Sequence, residues 1–198
     1  MEHETGTDLL NSVIQNRRSV FPYQFERGRR VPDEIIRQIL DNANRAPTHK
    51  KTEPWRFTVF TGEGLQRFSD LQAEIYTRFA GDKFKQTKLL NLTNYPLMSS
   101  HVIAIGMKRN KENAIPEIEE VIATACAIEN IYLTVTAYEL GGYLSTGGIT
   151  YFEESKPYFE LEPADKLLGF FYIGYPAAVP EALSKRQPVE DKIKWVVE

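Results

Sequence analysis

Cysteine is nearly absent from this 198-residue chain. Its single Cys126 has no internal partner, as expected of a protein kept in a reducing cytoplasm. Histidine is scarce too. His3, His49 and His101 have no spacing that gathers metal ligands, so no metal centre is expected. No apolar run approaches the roughly 20 residues of a membrane-spanning helix. The opening MEHETGTDLLNSV is acidic and lacks the basic stretch and apolar core of a secretory signal, which again points to the cytoplasm. HExxH, paired CxxC, the P-loop pattern and GxGxxG are all missing. That argues against zincins, zinc ribbons, P-loop NTPases and ordinary Rossmann enzymes.

What is present is ordinary for one water-soluble globular domain spanning residues 1–198. Hydrophobic residues make up 42% and charged residues 26%, with no repeat or low-complexity linker to divide the chain. A net charge of −3 gives no reason to expect nucleic acid or an anionic membrane as a partner. Any bound anion must therefore be held by a local cluster.

Apolar Leu9, Leu10, Val13 and Ile14 predict a helix over Thr7–Gln15, followed at once by Arg17-Arg18-Ser19. A second helix opens at Pro32-Asp33-Glu34 and ends near Ala46-Pro47, where proline disfavours helical geometry in the residue before it. Trp55–Thr61, His101–Lys108 and Leu167–Tyr175 are rich in aromatic and branched residues and read as strands. Glu63–Ala80 reads as a helix, whereas Gly81–Ser100 has no clean period and is expected to form a mobile cover. The longest helix is predicted over Pro116–Leu140, with acidic residues at its positive end and a stop at Gly141-Gly142. Its small residues Ala123, Ala125, Cys126 and Ala127 permit close packing, within the subunit or across a dimer.

Each chemical signal is weak alone. Gly142 to Gly147 resembles a nucleophile elbow but has one residue too many before Ser145, which argues against a serine hydrolase. Cys126 lies in mid-helix, the usual place of an inert thiol. His101, at the start of a strand, reads as a structural polar residue. Arg17-Arg18 by itself is hydrated surface, although arginine forks with an adjacent serine hydroxyl suit a phosphate. Lys185-Arg186 near the other end is a second basic pair.

In their joint order, NRRSV, RAPTHKKTEPWRF, LGGYLSTGG and SKRQPVE resemble the nitroreductase family of FMN enzymes, especially its shorter members. The resemblance implies an α+β fold with a central, mainly antiparallel sheet flanked by helices, and a homodimer with FMN at the interface. It implies that Arg17, Ser19 and Arg186 hold the FMN phosphate, with Lys185 assisting, and that Arg18 contacts the ribityl chain or ring. Thr48, His49, Lys50, Lys51 and Glu53 would reach the flavin from the partner subunit. Ser145, Thr146 and Gly147 would line the ring near N5.

The implied activity is that of an oxidoreductase taking hydride from NADH or NADPH and passing it through the flavin to an electron-poor small molecule, nitroaromatic or quinone-like. No catalytic side chain is needed, because the flavin carries the chemistry. Many relatives have Asn and Gln where this chain has Lys51 and Glu53. An ionised Glu53 cannot donate to a flavin carbonyl and would instead accept from the ring N3–H or pair with a lysine. That difference keeps open an FMN-binding storage or sensing module, and the same scaffold also serves dehalogenation and flavin fragmentation.

Overall fold

A computed structural model of the chain describes residues 5–110, 112, 115–178 and 186–197. His3 and Lys185 lie outside the described residues. The helices are α1 (Gly6–Asn16), α2 (Asp33–Ala43), α3 (Glu63–Phe79), α4 (Gln86–Leu97) and α5 (Glu117–Ala137). The strands are β1 (Trp55–Thr61), β2 (His101–Met107), β3 (Gly141–Ser145) and β4 (Lys166–Gly174). They form an antiparallel sheet in the order β1-β2-β4-β3.

All seven residues of β2 are buried, as the period-two rule requires when both faces of a central strand are covered. Val102 and Ala104 turn with Phe170 and Tyr172 towards α3 and α4, meeting Phe68, Ile75 and Leu92. Ile103 and Ile105 turn the other way with Phe171 and Ile173, against Ile36 and Ile39 of α2 and Ala127, Ile131 and Val135 of α5. The sheet thus divides two apolar layers, and Ala123 and Ala127 serve packing inside the subunit. His101 is a buried structural residue whose ring is bonded to Ser100 Oγ and Asp33 Oδ1.

Two expectations are corrected. Residues 86–97 form helix α4, within a segment whose sequence has no clean period and reads as a mobile cover. Pro96 lacks an N–H, so the Leu92 carbonyl has no helical donor. Gln72 of α3 supplies one from Nε2 at 2.7 Å, and Ser69 Oγ donates to the Thr93 carbonyl at 2.8 Å. These donors come from elsewhere in the chain, and no local pattern records them.

Helix α5 also stops before its predicted end. Glu139 takes the left-handed conformation at φ 55°, its N–H donates to the Thr136 carbonyl, and Leu140 N–H donates to the Val135 carbonyl. This is a Schellman stop built on a glutamate. Gly141 and Gly142 open β3 instead, because a Cβ on either would stand 2.7 Å from the Phe25 ring or 2.8 Å from the Phe171 ring.

Replacing the fully buried Gln72 with Met keeps the volume and removes the donor. The expected result is a loss of about 2 kcal/mol in unfolding free energy by urea titration, from stranding the Leu92 carbonyl. An unchanged midpoint would show that Gln72 is not what keeps α4 helical.

Candidate functional site

The arginine pair begins where α1 ends. Arg17 N–H still donates to the Val13 carbonyl at 2.9 Å, but its ψ of 127° turns the chain into an extended path. Ser19 then bridges Gly142 in parallel, and Val20 N–H donates to the Gly142 carbonyl at 2.9 Å. Residues 17–20 therefore run beside the outer edge of β3. This pairing brings Arg17, Arg18 and Ser19 to the strand that ends at Ser145.

Tyr132 of α5 locks the junction. Its hydroxyl accepts from Leu144 N–H at 2.9 Å and lies 3.4 Å from Ser19 Oγ, while the Arg17 guanidinium sits 5.0 Å from the ring centroid. The ring is buried edge-on against Phe171. Arg17 and Arg18 are half-buried, and neither forms an ion pair among the described residues. Arg18 makes only a long bond of 3.4 Å to the Gln15 carbonyl. Two half-buried guanidiniums beside a hydroxyl, with no carboxylate paired to them among the described residues, are a donor set suited to an anion.

Ser145 is buried at the end of β3, Thr146 is exposed and Gly147 half-buried. Gly148 follows at φ 72°, in the left-handed region, with α4 directly over it. Thr150 Oγ1 donates to the Gly147 carbonyl at 2.9 Å and holds the turn. On the α4 side stands an aromatic wall: Phe21 against Tyr143 at 4.5 Å between centroids, and Tyr95 edge-on to Tyr143 at 6.2 Å. Burial pushes the Tyr95 and Tyr143 phenols up, so both stay neutral over the physiological range.

The second basic segment lies elsewhere. His49–Lys51 form a short 3-10 turn beside the start of α5, where His49 Nδ1 pairs with Glu119. Lys50, Lys51 and Glu53 all have positive φ, at 49°, 55° and 44°. Each such residue costs roughly 1–2 kcal/mol. Thr48 offsets part of this, its Oγ1 lying 3.0 Å from Thr52 Oγ1 and accepting from Glu53 N–H at 3.3 Å. Lys50, Lys51 and Glu53 are exposed and form no ion pair among the described residues. Strain of this kind concentrates at functional sites.

Within one chain these segments do not meet. Glu119 and Tyr132 are thirteen residues apart in α5, which at 1.5 Å per residue is about 20 Å. Residues 17–19 are brought to the strand that ends at Ser145, whereas 48–53 lie beside the start of α5. Arg186 is exposed and makes no ion pair among the described residues. Tyr132, Phe21, Tyr95 and Tyr143 were not singled out from sequence. An aromatic residue within an apolar helix face or strand carries no mark of the cluster it joins.

Tyr132→Phe removes the acceptor for Leu144 N–H, and a loss of about 1 kcal/mol in unfolding free energy is expected. Tyr138→Phe, on the exposed end of the same helix, is the control and should change nothing. Equal effects would mean that the Tyr132 hydroxyl does not tie the junction.

Similarities to known proteins agree with this geometry. The model of the Nitroreductase family matches residues 14–175. The YdjA protein of Escherichia coli strain K12, provisionally named an NAD(P)H nitroreductase, is 29% identical over 143 residues, covering 72% of this chain and 76% of that protein. A crystal structure of a nitroreductase-like family protein from Bacillus cereus superposes with a TM-score of 0.81 at 25% identity, over 99% of this chain and 98% of that one. The FMN-dependent nitroreductase NfnB of Mycobacterium smegmatis, solved with NADPH, gives a TM-score of 0.71 at 17% identity over 96% and 99% of the two chains. With most of its length matched by the family model, from the helix before the arginine pair to the end of the last strand, this chain belongs to the nitroreductase family.

Proposed function

We propose that this chain is an FMN-dependent NAD(P)H oxidoreductase that reduces an electron-poor small molecule, nitroaromatic or quinone-like. The observation that carries the reading is the half-buried Arg17-Arg18 pair with Ser19, unneutralised by any described carboxylate and anchored to the strand that leads to Ser145. The donor set fits FMN. Arg17 and Ser19 hold the phosphate, joined by Arg186 and Lys185 from the C-terminal segment, Arg18 reaches the ribityl chain or ring, and Ser145–Gly147 line the ring. FMN, when bound, supplies the nitrogen that accepts and returns hydride. The protein binds and orients, and the aromatic wall of Phe21, Tyr95 and Tyr143 excludes water from one side.

The site is completed by a second copy of the chain. Thr48–Glu53 lean on the start of α5, about 20 Å along that helix from the tyrosine that carries Arg17, and are assigned to the flavin of a partner subunit. Leu9, Leu10 and Ile14 of α1 and Ile118 and Ile122 of α5 are each more than half exposed, an apolar surface for which a homodimer provides the cover. The C-terminal segment likewise exposes Ile193, Trp195, Val196 and Val197. Lys50 and Lys51 would then bring positive charge to the partner's flavin. Among the described residues, no helix is long and apolar enough to cross a membrane.

Reconstitution with FMN, followed by anaerobic addition of NADPH or NADH, tests the reading. Loss of the oxidised flavin spectrum and its return on adding a quinone are expected. Bound flavin that neither nicotinamide reduces would leave a storage or sensing module instead. Arg17→Ala and Arg186→Ala should each weaken FMN binding by roughly 10- to 100-fold, the worth of a charge-assisted bond, with an unchanged urea midpoint. Unchanged flavin affinity in both would refute the phosphate assignment.

A further inference from the structure

Helix α4 carries a charge to the Ser145–Gly148 turn. A methyl group built on Gly147 would stand 3.1 Å from Lys88 Nζ, and one on Gly148 would stand 3.5 Å from Lys88 Cε. The lysine thus lies along the turn, with its ammonium over Gly147. One helical turn further on, Leu92 occupies the space beside Gly148, where a Cβ would come within 2.7 Å of its Cδ2. Lys88 and Leu92 together clamp α4 onto the glycine pair and fix the place of the charge.

That charge has no structural partner. Lys88 is half-buried, and its side chain makes no hydrogen bond or ion pair among the described residues. Burial holds its pKa below the ordinary lysine value, the direction of a cation that has lost water without gaining a counter-charge. It also sits in the first turn of α4, which holds no acidic residue, so the helix dipole opposes it. An exposed lysine would avoid the desolvation cost. Helix stability therefore does not explain the placement, whereas negative charge arriving at the Ser145–Gly147 turn would.

Resting on the FMN reading above, we propose that Lys88 is an electrostatic residue of the flavin site, its ammonium set beside the Ser145–Gly147 turn to stabilise the negative charge that enters the ring on reduction. A unit charge beside the turn that would line the ring, partly screened from water, would have the strength for this role. It acts from the subunit that holds the phosphate, whereas Lys50 and Lys51 would act from the partner. No bond to Lys88 forms or breaks.

The test uses the FMN-loaded wild type, Lys88→Met, Lys88→Gln and Lys88→Arg. Each is measured for FMN content, affinity for sulfite, which adds to the flavin and leaves negative charge on it, and two-electron reduction potential. The Met and Gln variants should retain FMN but bind sulfite roughly tenfold more weakly. Their potential should fall by about 30 mV, a tenfold change for two electrons. Arg should restore both values towards wild type. Flavin-loaded Met and Gln variants with wild-type sulfite affinity and potential would overturn the role of Lys88 alone. Wild-type protein that takes up no FMN would overturn the flavin reading and the role of Lys88 with it.

Discussion

The hydroxyl of Tyr132 joins three parts of the chain where charge is concentrated: the helix that carries it, the backbone of β3 at Leu144, and Ser19 beyond the arginine pair. Without this tie the 17–20 segment would be held by its bridge to Gly142, by the Arg17 N–H bond to the Val13 carbonyl and by the packing of Val20 in the core. The ring beneath the hydroxyl adds a second function. Its face receives the Arg17 cation, and its edge meets Phe171 in the core. The position of the arginine pair is thus tied to core packing.

Helix α5 separates the two sets of functional groups. The arginine pair, Ser19 and the Ser145–Gly147 turn gather near its C-terminal half, while the strained turn with Lys50, Lys51 and Glu53 leans on Glu119 at its start. Three residues are held at positive φ, two of them lysines facing solvent, and among the described residues Thr48 offsets only part of that cost. In the proposed dimer a second copy would give that cost a purpose and would cover the apolar faces of α1 and α5. On this reading the single chain contributes two half-sites, and neither half is a flavin site by itself.

Much of this was legible in the sequence. Strand β1 follows from its aromatic and β-branched residues, helix α3 lies within the segment read as a helix, and the ordered segments from Arg17 to Gly147 carried the family. Helix α4 was not legible, because Pro96 removes a donor that Gln72 returns from twenty positions away. The end of α5 was misplaced because a glutamate, not the glycine pair, takes the left-handed residue. Those glycines belong to β3 for the sake of Phe25 and Phe171. Lys88 was hidden for the same reason as α4, since a lysine in an apparently irregular segment shows its role only once the helix places it over Gly147.

The most direct measurement is the flavin content of a hybrid dimer. One chain carries Arg17→Ala with Arg18→Ala, and its differently tagged partner has residues 48–53 replaced by a glycine-serine loop. If each flavin is gripped by the arginines of one chain and reached by the 48–53 loop of the other, the purified hybrid retains one intact site and binds one FMN per dimer. The parent homodimers retain no intact site. A hybrid as empty of FMN as its parents, in a dimer of normal stability, would contradict a site shared between two copies.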